Sequence, residues 1–325
     1  MKNLLRPLWL ILTIASICTS GAHAQSSATY PSRPIKLVVP FPAGGPTDLL
    51  ARVIGQKLSD KVGQPVIVEN KAGANTIIGA DAVAKAPADG YTLLVAIDNT
   101  LVMNQYLYNK LSYDPVRDFE PVAKLAIAPL VILTGSAGPS SIAALVARAK
   151  AQPGKVSYGY GTFTSQLGGE LIKTSLGLDL LSVSYKGSAG TVQGLLSNDV
   201  TFIIDGVTAG LPHVQSGKFK AVGNLGKSKI PALPDLAPIS NEQGLQTFDV
   251  AVWMGLVGPK GMPPAITQQL NAEINRILSM PDVKEQLSAS GLIADPSSTK
   301  AFSTFLESES SKWKTVIDKA GIKVQ

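Results

Sequence analysis

Two glycine-containing loops hold the residue types with the clearest chemical use, and neither pairs a nucleophile with a base. The first runs Phe41-Pro42-Ala43-Gly44-Gly45-Pro46-Thr47-Asp48. Before it, Ile35 to Phe41 is a short, largely apolar run. After it, Leu49, Leu50, Val53, Ile54 and Leu58 recur at helical spacing, so a strand gives way to a helix across the loop. Gly44 and Gly45 leave the backbone amides unobstructed. Pro46 suits a first helical position, because its φ is preset and an N–H there would have no partner. The N–H groups of Thr47 and Asp48 then point outward, where they and the helix dipole attract an anion without any basic side chain. An ordinary tight βα turn has the same pattern. Asp48, at the third helical position, is expected to reach back and cap loop amides.

Val156 to Leu176 repeats the arrangement of strand, polar glycine loop and helix. Thr162, Thr164 and Ser165 supply hydroxyls and a helix cap, and their amides can close on the other oxygens of a carboxylate. A capped helix with no ligand is the alternative. Tyr185 to Ser188 and Asp205-Gly206 follow further strands, so they fall on the carboxyl edge where open α/β sheets collect ligands. There Asp205 suits an amine, a hydroxyl or a structural amide, while Lys186 either offers charge or is solvated. Asn99, just beyond the strand Thr92 to Ile97, joins the candidate contacts.

Other chemistries are excluded by what is missing. Of the two histidines, His23 lies in an export segment, leaving His213. A Ser-His-Asp triad would have to use it, and zinc sites needing two or three His or Cys ligands cannot be assembled. His213 is expected to be structural or superficial, in a short helix between Leu211 and Gly217. Gly226-Lys227-Ser228 has the tail of a P-loop, but Ala221 stands where the first glycine belongs and a proline-rich connector follows. In Gly159-Tyr160-Gly161 the dinucleotide fingerprint fails at Thr164. No cofactor and no metal is expected.

The elements that must position the loops alternate strand and helix. Strands are expected at Ile35 to Phe41, Val66 to Glu69, Thr92 to Ile97, Val156 to Gly159, Leu180 to Tyr185, Val200 to Asp205 and Val250 to Gly258. A long apolar run extends from Val122 to Thr134. Helices follow at Ser141 to Ala151, Pro263 to Ser279, Asp282 to Ser290 and Thr299 to Ala320, which is α/β organisation in two domains. Pro231 to Pro238 reads as an ordered connector, since too many N–H donors are missing for a helix or central strand. Residues 1–24 read as an export signal cleaved near Ala24: Lys2 and Arg6 precede an apolar run, and Ala22-His23-Ala24 closes it. Ile17 before Cys18 argues against lipidation. Cys18 is the one cysteine, so removal of the segment leaves no thiol or disulfide. The 29 basic and 23 acidic side chains are scattered without aromatic interleaving, which argues against a nucleic-acid partner.

Seven segments are more specific than either loop alone: Pro40 to Asp48, Gly63 to Asn70, Ala88 to Leu94, Tyr113 to Ala123, Ser182 to Gly190, Leu211 to Val222, and the connector Pro231 to Pro238. In order and content the chain resembles the Bug family, the TctC-like periplasmic solute receptors of tripartite tricarboxylate transporters, from about Tyr30 to Ile322. The resemblance implies an α/β, two-lobed periplasmic-binding-protein fold of the Venus flytrap, type II-like kind with mixed sheets. Lobe 1 would comprise residues 25–124 and 251–325, and lobe 2 residues 125–250. It also implies a non-enzymatic, periplasmic, monomeric receptor whose partners are a small organic carboxylate and the membrane permease subunits of the transporter. The ligand would be gripped by amides, hydroxyls and bridging water from Phe41, Ala43, Gly44, Gly45, Pro46 and Thr47 on one side. Tyr160, Thr162, Phe163, Thr164 and Ser165 would face them, with Asn99 and Asp205 nearby. The second loop departs from many relatives in its aromatic bulk at Tyr158, Tyr160 and Phe163. Aromatic dicarboxylates such as terephthalate are therefore candidates beside aliphatic di- and tricarboxylates and acidic amino acids. A sensory adaptor for a receptor kinase and a periplasmic carboxylate-processing enzyme are the competing readings.

Overall fold

A computed structural model describes residues 30–321; the expected export segment, with Cys18, lies outside them. Strands β1 (Ile35–Val39), β2 (Val66–Asn70) and β3 (Thr92–Ile97) are parallel, with β1 in the middle, and helices α1 (Pro46–Val62) and α2 (Ile77–Ala84) connect them. A π-helical turn, Asn99–Met103, and the short α3 (Asn104–Leu107) follow β3. The chain then enters β4 (Phe119–Gly135), a strand of 17 residues. A second series comes next: α4 (Ile142–Ala151), β5 (Val156–Tyr160), α5 (Phe163–Leu176), β6 (Leu180–Ser184), α6 (Gly187–Leu196), β7 (Phe202–Gly206), α7 (Val207–Gln215) and β8 (Phe219–Asn224). Last are β9 (Ala251–Pro259), α8 (Pro264–Ser279), α9 (Pro281–Ala289), β10 (Ile293–Ala294) and α10 (Thr299–Ala320).

The strand order is β2-β1-β3-β9-β4-β7-β5-β6, with β8 and β10 also on β4. One half reads β2-β1-β3-β9-β4 and the other β6-β5-β7-β4-β8, so the two are built on one plan. Each has three parallel strands whose carboxyl ends carry the loops of interest, and each is closed by antiparallel neighbours. This is the two-lobed, type II-like α/β arrangement expected. β4 serves both halves: it pairs with β9 as far as Pro129 and with β7 from Leu130. The expected crossing near residue 125 falls within β4.

Burial explains why the elements settle as they do. Leu50, Ile54 and Leu58 of α1 are fully buried against Leu37 and its neighbours, as their helical spacing requires. On the return pass, the Trp253 and Trp313 indoles both donate to Glu309 Oε2 at 2.9 Å, tying α10 to β9. Tyr158 is fully buried and stacks on Phe202, centroids 5.7 Å apart, while its hydroxyl donates to Glu170 at 2.9 Å. It belongs to the core, so it cannot shape a ligand site as its position in the second loop segment suggested.

Several elements differ from expectation. The π-helical turn with α3, the helix α6, and the strands β8 and β10 were not foreseen. α7 begins at Val207 and holds Pro212 inside it, although a proline forfeits one helical hydrogen bond there. Burial of Val207 and Leu211 against the β4 side of the second core offsets that loss. The His213 ring packs 4.8 Å from that of Phe219, a structural role.

Gly255 of β9 lies under Phe302 of α10, where an added Cβ would stand 2.2 Å from the ring. Gly255→Ala is expected to destabilise the protein by about 1–3 kcal/mol through overpacking. Urea unfolding measures this, and adding Phe302→Leu should recover part of the loss.

Candidate functional site

Gly45 caps α1 in an extended conformation and Pro46 occupies the first turn. Gly44 has φ +89°, a backbone setting that favours glycine, and with Ala43 it is exposed. The carboxylate of Asp48 turns back into the loop. It accepts from Gly44 N–H at 2.9 Å, from Arg52 at 2.9 and 3.0 Å, and from Asn70 Nδ2 at 2.9 Å. Asn70 Nδ2 also donates to the Phe41 carbonyl at 3.0 Å, so the end of β2 fixes the loop that follows β1. Asp48 is thus the expected cap. Hydrogen bonding from Arg52 holds its carboxyl at about 2, below the ordinary range. Among the described residues the N–H groups of Thr47 and Asp48 find no acceptor.

The second loop repeats this design. Thr162 caps α5, its hydroxyl accepting from Ser165 N–H at 3.2 Å and lying 2.9 Å from the Ser165 hydroxyl. The N–H groups of Phe163 and Thr164 have no acceptor among the described residues. Thr164 and Ser165 are buried, whereas Tyr160 and Phe163 are half-buried. The Thr164 hydroxyl donates to Asp98 Oδ2 at 2.8 Å, from the start of α5 to the end of β3. That bond brings the two halves of the sheet together at their loop edges, and β3 is the neighbour of β1. The starts of α1 and α5 each offer free N–H groups of the kind that bind carboxylate oxygens, and the α5 start is tied by this bond to the strand beside β1.

Asp98 itself is fully buried, and its Oδ1 accepts from Asn99 N–H at 2.9 Å. Desolvation pushes its carboxyl up to about 7; the Glu309 carboxylate adds to this, while Thr164, the Asn99 N–H and Lys312 oppose it. Asn99 is buried beside it and donates to Asn75 Oδ1 at 3.1 Å. Asp205 lies elsewhere in its interactions: it accepts from Ser188 at 2.6 Å, from Gly206 N–H at 2.7 Å and from the Thr191 hydroxyl. Both oxygens are occupied at the start of α6, and burial raises its carboxyl above the ordinary range. Lys186 is exposed.

Sequence reading passed over the loop Gly73-Ala74-Asn75-Thr76, all of whose residues have positive φ. Three of them are not glycine, a costly conformation that clusters at functional loops. Asn75 and Thr76 bond to Asn99, Thr100 and Asn104. The available signal was Gly-Ala-Asn after a strand, since asparagine tolerates the left-handed region. Asp98 was missed because one acid after a strand is unremarkable until its partner across the sheet is known.

Among the described residues no group of three His, Cys, Asp or Glu side chains is placed to hold a metal, and no helix is long and apolar enough to cross a membrane. The arrangement is two helix starts with unpaired N–H groups, suited to holding a small anion. Residues 50–322 match the family described as the tripartite tricarboxylate transporter family receptor, TctC. The chain is 38% identical over 320 residues to the protein BugT of Bordetella pertussis, which covers 95% of this chain and 96% of that one. Among solved structures it is similar to Rpa4515 of R. palustris with adipate, with TM-score 0.82, 32% identity, and coverage of 90% and 99% of the two chains. It is also similar to MatC of Rhodopseudomonas palustris with bound malate, with TM-score 0.76, 30% identity, and coverage of 89% and 100%. The chain belongs to the TctC receptor family, a family of periplasmic solute-binding proteins and not of enzymes.

The two acids flanking the loops titrate in opposite senses. Asp48, held low, contributes stability above its unfolded value near 4 that is lost as pH falls toward about 2. Asp98, held high, costs stability when ionised; that cost grows as pH rises from about 4 and is complete above about 7. Urea midpoints followed across pH should show Asp48→Asn flattening the acid limb and Asp98→Asn flattening the limb between pH 4 and 7.

Proposed function

We propose that this chain is an extracytoplasmic receptor that closes on a small organic carboxylate and delivers it to the membrane subunits of a tripartite tricarboxylate transporter. The observation that carries the reading is the pair of helix starts with free N–H groups, at Gly45 to Asp48 and Thr162 to Ser165, the second bonded through Thr164 to Asp98 of the opposite half, with no cation spent on the ligand. Charge-assisted bonds to such groups contribute about 1.5–3 kcal/mol each. The adipate and malate bound by similar proteins support a dicarboxylate. Direct contacts come from Phe41, Ala43, Gly44, Gly45, Thr47, Tyr160, Thr162, Phe163, Thr164 and Ser165, with Pro46 setting the helix start and water bridging the longer gaps. The lobes are the two halves of the sheet, and β4 and β9 pass between them as the hinge. The receptor works as a monomer in the periplasm after loss of residues 1–24.

An aromatic dicarboxylate such as terephthalate is a second reading, favoured by the half-buried rings of Tyr160 and Phe163 beside the second helix start. With Tyr158 in the core, these two rings are its whole support.

In a thermal-shift and calorimetric screen of the mature protein, a mono-, di- or tricarboxylate should bind stoichiometrically without product. At about 100 Kd it should add about 2.7 kcal/mol of stability. Absence of binding across all classes would sink the proposal. Tyr160→Ser and Phe163→Gly should weaken terephthalate more than adipate if the aromatic reading holds, and both equally if it does not.

A further inference from the structure

Two carboxylates, Glu309 and Asp98, are buried where α10 packs beyond the end of β3, and they are supplied very differently. Glu309, 7% exposed, is rich in donors: the Trp253 and Trp313 indoles on Oε2, both at 2.9 Å, and Lys312 Nζ on Oε1 at 2.8 Å. Asp98, wholly buried, has the Thr164 hydroxyl on Oδ2 at 2.8 Å and the Asn99 N–H on Oδ1 at 2.9 Å. Neighbouring buried acids share protons according to the donors each commands. Glu309 keeps the charge, and Asp98 is the group that holds a proton.

The other charges around Asp98 do not reverse this. Lys312, the cation that acts on it, is bonded to Glu309 and to the Asp249 carbonyl at 3.1 Å. β3, β9 and the π-helical turn carry no titratable side chain. On α5 the charged residues, Glu170 and Lys173, lie 3.6 Å from each other, further along the helix than Thr164. Desolvation, with the Glu309 charge behind it, accordingly pushes the Asp98 carboxyl up to about 7.

What makes this proton more than a detail of the core is where the Oδ2 partner comes from. Asp98 follows the third parallel strand of one half, and Thr164 stands in the first turn of α5 in the other. A threonine hydroxyl accepts as well as donates, so a protonated Oδ2 keeps the bond with its direction reversed.

We propose that closure of the receptor on its ligand takes up one proton, held on Asp98 Oδ2 and shared with the Thr164 hydroxyl between the two halves. This rests on the receptor reading and adds a regulator to it. When the halves part, Oδ2 faces the gap, water replaces Thr164, and the carboxyl returns toward its ordinary value near 4 and ionises. Between about pH 4 and 7 the closed form therefore holds one more proton than the open form, and acid favours closure.

Calorimetry on the mature protein with adipate, malate and any other acid that binds in the carboxylate screen tests this. Run at about pH 6.5 in phosphate and in imidazole buffer, the difference in heat reads the protons exchanged. Wild type should take up about half a proton or more per ligand, and its affinity should fall by up to about 10-fold per pH unit between about pH 5 and 7, then level off. Asp98→Asn, uncharged throughout, should lose the uptake. At about pH 8 it should bind about 10-fold or more tightly than wild type, a gain that a damaged fold cannot imitate. Should the variant not fold, the wild-type uptake and its disappearance above about pH 8 decide alone. Binding by wild type with no uptake or with proton release, or uptake retained in Asp98→Asn, overturns the coupling and leaves the receptor reading intact. Failure of every acid to bind overturns the receptor reading, and this one with it.

Discussion

A carboxylate buried three residues into α1 governs the first loop. Unpaired, Asp48 would repel any anion approaching the helix start, yet it is the group that gives the loop its shape. The conflict is resolved by local neutralisation: Arg52 pairs with it, Asn70 donates to it, and Gly44 N–H bonds to it across the turn. The cation is consumed in that pair. What remains facing outward is a set of peptide dipoles fixed in direction, which lose no rotamer entropy when a ligand arrives.

The same economy is repeated by topology. β1 lies between β2 and β3, and β5 lies between β6 and β7, so each helix start follows the middle strand of its parallel trio. Such positions leave a crevice at the carboxyl edge, because the chain departs in opposite directions on either side. β4 and β9 then hold the two edges in register. Pro129, which has no N–H to contribute to a ladder, stands opposite Ala251 where pairing with β9 ends, and the next residue pairs with β7.

Much of this was legible in the residue order. The switch from β-branched run to helical spacing located β1 and α1, Pro46 and Ser141 marked helix starts, and Thr92 to Ile97 and Thr299 to Ala320 coincide with β3 and α10. What stayed hidden depended on distant partners. Gly187 to Leu196 is rich in glycine and small residues and was not foreseen as an element, but it is a helix in which Ser188 and Thr191 bond to Asp205. Tyr158 looked like part of a ligand platform until Gly169 opened the space its ring fills: a Cβ there would stand 2.3 Å from the ring. The positive-φ loop at Gly73 to Thr76 has no period to detect, only a backbone fixed by amide contacts some 25 residues onward.

Asp98 and Asp205 occupy equivalent places, each at the end of the third parallel strand of its half, and the contrast between them bears on how the receptor closes. Asp205 is satisfied within its own half by Ser188, Thr191 and Gly206. Asp98, fully buried, takes its side-chain donor, Thr164, from the opposite half. Against its desolvation Asp98 has one hydroxyl from across the halves and the peptide N–H of its own neighbour, Asn99, a poor compensation for a charge. On the proposed function, desolvation of Asp98 is a cost carried by the arrangement in which the halves meet. In the proposed receptor, a ligand that supplies hydrogen bonds at the two helix starts is the group that offsets this cost, so the guest biases the two halves toward each other.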